Sequence, residues 1–519
     1  MNRHAEHDHE THHDGHEHDS RKRWTDYAWW LMPLVGALSL LWWLVRVVPK
    51  PSRATYPCQR AAGPLGWNFL KWIGGLVVSA LALDKLKNSW KRSHTVAAAA
   101  LACVALAGAW VGLSGMADFG VSAATAEKFT PTDEANTPRG KGKGIHPGRV
   151  AWGYNPDAVD WNGEDGNWWD DSNLKPDEVK QTLQATLTKL TGKNTPAAAW
   201  KALFQDFNRT HERRNGGYRE GEKVAIKLNL NTSPEYEWND RLDNSPQLIH
   251  ALLEGLVNDA GVPQSAITVY DGSRIVGRPI MEVCHADFPE VHFADMSGEG
   301  KREKVQPDRD TAVHYAGSVE HSGETYLPAP VTNADYLINL ALLKGHTLAG
   351  VTLNAKNHFG SVWREDTDHR GGWDPSHMHR TVTVRGDNGR DMGTYNALVD
   401  LMGHENLGGK TLLYLIEGFY AARHQGGRPV RWKSAPFNGD WPSSLFASQD
   451  GVAIESVAVD FCRAEPEMDR FVRGHVDNYL HEAALADNPP SGVEYDPEGD
   501  GTGLESLGVH EHWNNSQEK

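Results

Sequence analysis

Several loops in this 519-residue chain carry residues able to hold an anion or move a proton. Lys356-Asn357-His358-Phe359-Gly360 offers a cation, an amide and an imidazole within three positions, shortly after Lys344, Gly345 and His346. That mix suits a small anionic ligand, because lysines supply point charge and an amide fixes orientation. Asn229 and Asn231 close one apolar run, and Asp271-Gly272-Ser273-Arg274 closes the next. Lys344 and Lys356 are assigned to charge, Asn229 and Asn357 to orientation, and Asp271 or His346 to acid or base chemistry, with Lys356 also a catalytic candidate. Against this stands an ordinary explanation: loops are polar, and Gly-Ser-Asp turns are common.

A metal-assisted variant rests on histidines. His369, His377 and His379 lie in the segment DHRGGWDPSHMH. On extended backbone His377 and His379 point the same way, so an HxH pair is geometrically possible. A third ligand would come from His358, His346 or Asp374, and the metal set put forward is His358, His377 and His379, holding a transition metal. The cysteines at 58, 103, 284 and 462 form no CxxC, so no iron–sulfur cluster or thiolate zinc site is expected. A Cys284–Cys462 disulfide is left open. Asp496, Glu498 and Asp500 mimic the start of a calcium loop, but Leu507 stands where a bidentate glutamate is needed.

These residues need elements to position them. Lys223–Leu230, Ile267–Tyr270, Val291–Ala294, Tyr336–Leu343 and Thr411–Ile416 are apolar runs suited to buried strands. Ser245-Pro246 opens a helix whose apolar face is Leu248, Ile249, Leu252, Leu253, Leu256 and Val257, and Gly261 marks its stop. Strand, helix, strand makes a β-α-β unit with parallel strands. The fold class is therefore α/β, a parallel or mixed sheet covered by helices. In such sheets ligands bind beyond the carboxyl ends of the strands, where the polar residues above gather into one crevice. Asp450 caps a helix over Gly451–Cys462.

Composition divides the chain. Its 68 acidic and 52 basic side chains leave −16, which argues against nucleic acid as a partner. Residues 1–23 hold a His-rich tail able to collect metal loosely, expected on the cytoplasmic side. Residues 24–117 read as a membrane region, with spans at about 27–48 and 95–116 and a less apolar segment at 65–83 that is a third span or an interfacial helix. Two or three transmembrane helices thus precede the α/β domain. Basic residues 21–23 and 85–92 favour three crossings, which puts the inner (cell) membrane beneath an extracytoplasmic, periplasmic domain. Residues 118–147 read as a linker and 148–519 as the α/β domain.

The stretches GYREGEKVAIKLNLN (217–231), ITVYDGS (267–273), ADYLINLALLKGHTLAGVTLNAKNHFG (334–360) and SQDGVAIESVAVDF (448–461) resemble the bacterial DUF362 family, a domain of unknown function. Segments 56–66 and 161–171 resemble the extra parts of its long, membrane-associated members. The resemblance implies a fold rather than a reaction, and adds Lys227 to the ligand-binding candidates beside Asn229, Lys344 and Asn357. Whether the chain is an enzyme stays open. The expected function is a membrane-anchored protein with a crevice for a small anionic ligand; the alternative is a non-catalytic metal-handling or assembly protein using the tail.

Overall fold

The structure is a computed structural model and describes residues 25–48, 57–91, 128–231, 240–317, 319, 324–384, 389–468 and 470–513. The chain divides into two compact units, 1–126 and 127–519. The His-rich tail and the span expected at 95–116 lie outside the described residues.

In the first unit helix α1 (Thr25–Val47) packs on α2 (Pro57–Lys91). The contact needs glycine, since a Cβ on Gly66 would come 2.8 Å from the Leu40 Cα. No helix among the described residues is long and apolar enough to cross a membrane, which corrects the expectation of membrane spans at 27–48 and 65–83. The reason is plain in α2. The apolar stretch at 65–83 is the middle of a 35-residue helix that also contains Arg60, Asn68, Lys71, Asp84 and Lys85. A hydropathy window isolates that stretch, but the helix does not.

The second unit is built on a ten-stranded mixed sheet. Its strands are β1 (Val150–Tyr154), β2 (Val224–Lys227), β3 (Ile267–Asp271), β4 (His292–Asp295), β5 (Glu303–Lys304), β6 (Tyr336–His346), β7 (Gly350–Thr352), β8 (Thr411–Ala422), β9 (Pro429–Val430) and β10 (Ser444–Ser448). The order along the sheet is β1-β10-β8-β6-β2-β3-β4-β5, with β7 on β6 and β9 on β8. From β8 to β5 the neighbours run parallel, while β10 pairs antiparallel with both β8 and β1. All five expected strands are present.

Alternation along the strands divides the core in two. Val224, Ile226, Val269, Ile338 and Leu340 face the layer formed by α3 (Pro176–Thr191), α4 (Pro196–Thr210), α5 (Pro246–Glu254) and α6 (Arg278–Asp287). Ala225, Tyr270, Leu337 and Ala341 face α7 (Ala397–Gly403), α8 (Gly451–Ala464) and α9 (Asn478–Ala484). Helix α5 starts as its sequence dictates: Ser245 accepts from the Leu248 amide and Pro246 takes the first position.

From β2 the strands β3, β4 and β5 follow one another in one direction along the sheet, while β8 flanks β6 in the other. The topological switch therefore lies between β2 and β6, where an open α/β sheet leaves a crevice. Cys284 and Cys462 are both buried and free, so the disulfide left open above does not form.

Asp450 caps α8 as expected and does more. Its Oδ1 accepts from the Val452 and Ala453 amides, and its Oδ2 accepts from the Lys143 and Val509 amides. A cap alone is worth about 1 kcal/mol, and each further buried amide left without an acceptor costs about 1–3 kcal/mol. Asp450→Ala is therefore expected to lower unfolding stability by about 3 kcal/mol or more, measured by urea unfolding.

Candidate functional site

The crevice at the switch point collects residues from three strand ends and one loop. A cavity of about 120 Å³ is lined by Lys227, Asn229, Asp271, Arg274, His346, Lys356, Asn357, Arg370 and His379, among others. A larger hollow of about 760 Å³ lies beside Met281 and Arg302. There the Arg302 guanidinium is already paired with Asp295 at 2.6 Å, so size alone does not mark it as the reactive site.

Lys227 ends β2 and is fully buried. Its Nζ donates to the Leu228 carbonyl at 2.5 Å, Asp271 Oδ2 at 3.0 Å and Asn357 Oδ1 at 3.2 Å. Asp271 Oδ1 accepts in turn from the Ser273 amide and hydroxyl. The pair is closed from above by Gly360, where a Cβ would lie 2.7 Å from Lys227 Nζ and 3.0 Å from Asp271 Oδ1. The glycine of the NHFG stretch is thus a requirement of packing against an ion pair.

The loop carrying Lys356 is pinned from below. Asn354 Nδ2 donates to the Asn339 and Leu415 carbonyls, and the Ala355 amide donates to Glu455 Oε1. Asn357 Nδ2 donates to Asn339 Oδ1 at 2.9 Å. Asn357 is therefore spent on holding Lys227 and the loop, rather than turned towards a ligand. Asn229 is held by the Glu417 side chain through Asn244, whose Oδ1 accepts the Asn229 amide at 2.6 Å. Its own Oδ1 accepts from Lys344 Nζ at 2.5 Å. Lys344 therefore sits behind the wall of the cavity, not on it.

Lys356 is different. It is 8% exposed, and its Nζ donates to His379 Nε2 at 3.3 Å and lies 4.0 Å from the centre of the Phe359 ring. Among the described residues neither Lys356 nor Lys344 meets a carboxylate. Burial lowers the pKa of Lys344 to about 7, although Asp243 opposes the shift. Burial, with Lys344 and Arg274 nearby, pushes Lys356 well below the usual ammonium range. Arg274 is half-buried; its Nη1 donates to the Ser273 carbonyl at 2.8 Å, and its Nε has no hydrogen-bond partner among the described residues.

The histidines divide. His346 Nδ1 accepts from the Leu348 and Ala349 amides, both at 3.1 Å, so the ring proton sits on Nε2. Burial and Lys356 hold its pKa well below the usual imidazole value, so His346 is a neutral donor and not a base near neutrality. His379 stacks beside it at 5.6 Å. His358 is buried against the central strand β6, with Nε2 accepting from Asn339 Nδ2 at 3.1 Å. His377 packs against Tyr315. The HxH geometry assumed extended backbone, but Pro375–Met378 is a 3-10 turn and His379–Val382 a helical one. Two-residue spacing on such turns does not share a face. His358, His377 and His379 accordingly occupy three separate environments, and among the described residues they do not form a metal cluster.

The sequence places Arg274 at a strand end beside the crevice without assigning it a role, and it does not point to Arg370 as a lining cation. Arg274 follows the Asp-Gly-Ser turn directly, which was a usable signal. Arg370 lines the cavity from a loop in which it adopts a left-handed backbone, φ 52°, with no sequence pattern to read.

Fold and site together define a doubly wound α/β domain with a cation-rich crevice at its switch point. Residues 224–460 match the family model described as Domain of unknown function (DUF362), which supports the resemblance for the segment from β2 through α8. The match does not extend to the segments before β2, so the long membrane-associated form is not supported by it. No curated protein matches the chain.

Proposed function

We propose that the α/β domain binds one small anion, a phosphate- or carboxylate-bearing molecule, in the crevice between β2 and β6. Lys356, Arg274 and Arg370 are its counter-ions, and Lys344 adds charge from behind Asn229. The observation that carries this reading is the buried Lys356 ammonium, which lines a small cavity and has no carboxylate partner among the described residues. A buried cation is stable when paired and neutralises when it is not. An anion entering the cavity supplies the missing partner.

The same geometry moves acid–base capacity from His346 and Asp271 to the lysines. Asp271 is committed to Lys227 and Ser273, and His346 Nδ1 is committed to two amides. With the anion bound the lysines are recharged, so in the complex they act as proton donors to the ligand and as counter-ions to charge developing on it.

Calorimetric titration of the full chain with inorganic phosphate, pyrophosphate and small di- and tricarboxylates tests the reading. One saturable site is expected with at least one of these, weakened about 10–100-fold in Lys356→Met, the worth of one charge-assisted hydrogen bond. Equal affinity in a folded Lys356→Met variant contradicts it.

A further inference from the structure

Outside the crevice, a second group of polar side chains meets where the strand Val509–His510 pairs antiparallel with Arg139–Gly140. His510 is 1% exposed and packs against α8 and α9. Ser456 Oγ lies 2.8 Å from His510 Nδ1 and also donates to the Val452 carbonyl at 2.8 Å. A hydroxyl has one proton, so at the His510 contact Nδ1 donates and Oγ accepts. Nε2 is then left in the interior with no hydrogen-bond partner among the described residues.

Two further donors stand beside it. One nitrogen or oxygen from each of Asp477, His481 and His510 lies within 4.8 Å of the other two. Asp477 is the N-cap of α9 and His481 follows one turn later, so the two share a helix face, with His481 Nε2 4.0 Å from Asp477 Oδ2. The His481 and His510 ring centres are 4.7 Å apart. Arg463 donates to Asp477 Oδ1 at 3.0 Å and so orients the carboxylate.

We propose that Asp477, His481 and His510 form a binding site for one divalent transition metal ion, with zinc-like preference and a fourth position open to water. Two imidazoles and a carboxylate are a ligand set for that class, and Ser456 and Arg463 act as the outer groups that hold such ligands in place. Metal–ligand bonds of about 2.1 Å put tetrahedral ligand atoms roughly 3.4 Å apart, a short rotation for the partly exposed Asp477 and His481. Arg139 competes with the metal. Its Nη1 donates to His481 Nδ1 at 2.9 Å, which leaves the ring proton on Nε2. Metal binding at Nε2 shifts that proton to Nδ1 and releases the exposed Arg139.

Titration of the metal-free full chain with cobalt(II) tests the site. Residues 1–23 are rich in histidine, so the readout is the intense visible absorption of four-coordinate cobalt together with the number of equivalents bound. The wild-type chain is expected to show that absorption with about one equivalent. It disappears, with one equivalent fewer bound, in His481→Gln and in His510→Gln. His512→Gln keeps it, because His512 belongs to a neighbouring group with Asp133 and Asp460. Arg139→Ala binds the ion more tightly. His481 is only partly buried, so its variant remains informative if His510→Gln does not fold. The same absorption and stoichiometry in folded His481→Gln overturns the proposal.

Discussion

Replacing Lys344 and Lys356 together by methionine is expected to stabilise the free protein while abolishing anion binding. Methionine keeps the volume and the flexible stem of each lysine but removes a group that burial forces towards neutrality. Apolar replacement of buried charged groups of similar shape is often stabilising, and here a gain of roughly 1–3 kcal/mol is expected, seen as a melting temperature higher by a few degrees. Loss of affinity follows from the same change, because Lys356, which lines the cavity, and the charge of Lys344 behind its wall are both gone. A crevice whose lysines serve only the fold would behave in the opposite way: the double variant would be less stable, and any anion affinity would be untouched. Stability and binding must therefore move in opposite directions. Asn229 limits the gain, since its Oδ1 loses the Lys344 donor.

Anion binding is also expected to take up protons. In the free protein Lys344 titrates at about 7, and Lys356 lies well below its ordinary value. An anion in the cavity favours the charged form and raises both. Between the free and bound pKa values the complex holds more protons than the free protein, so affinity is greatest below about pH 7 and falls as pH rises. The fall is about tenfold per pH unit for each lysine that must be recharged. Calorimetry in buffers of different ionisation enthalpy counts those protons. An affinity independent of pH between 7 and 9 would mean that the lysines remain charged throughout.

The sheet was legible because its strands are short apolar runs with turn residues at their ends. Val224–Lys227 and Ile267–Asp271 are strands by composition, and Ser245-Pro246 marks the start of α5 without help from tertiary structure. That Lys227, Asp271, His346 and Lys356 line one small cavity was legible for a related reason, since Lys, Asp and His stand at strand ends and in the loop that follows them. What each residue does there was not legible. Asn357 looks like a ligand contact, yet its amide is consumed by Asn339 and Lys227. His346 looks like a base, yet two backbone amides occupy the nitrogen it would use. Such assignments depend on differences of a few tenths of an ångström, between residues as close as His346 and Leu348 and as far apart in sequence as Lys227 and Asn357.

Two misreadings have a common source. The HxH pair assumed a strand where the chain makes consecutive helical turns, and the segment 65–83 was cut out of a longer helix. Both treat a short window as if its surroundings did not matter. Asp477, His481 and His510 show the converse case. The sequence carries His510-Glu511-His512, a second HxH pair, but nothing in it ties His510 to Asp477 and His481, and the three meet only because the last strand folds back beside Arg139–Gly140.

A site-specific pKa for Lys344 and Lys356 probes the anion crevice most directly. Carbon-13 resonances of the lysine ε-carbons, assigned through Lys344→Met and Lys356→Met, would be followed from pH 5 to 11 with and without the tightest anion found. Both lysines are expected to titrate well below the ordinary range, near 10.4, in the free protein and to return towards it with the anion bound. Ordinary values in the free protein, or low values that the anion leaves unchanged, would contradict the role given to these lysines.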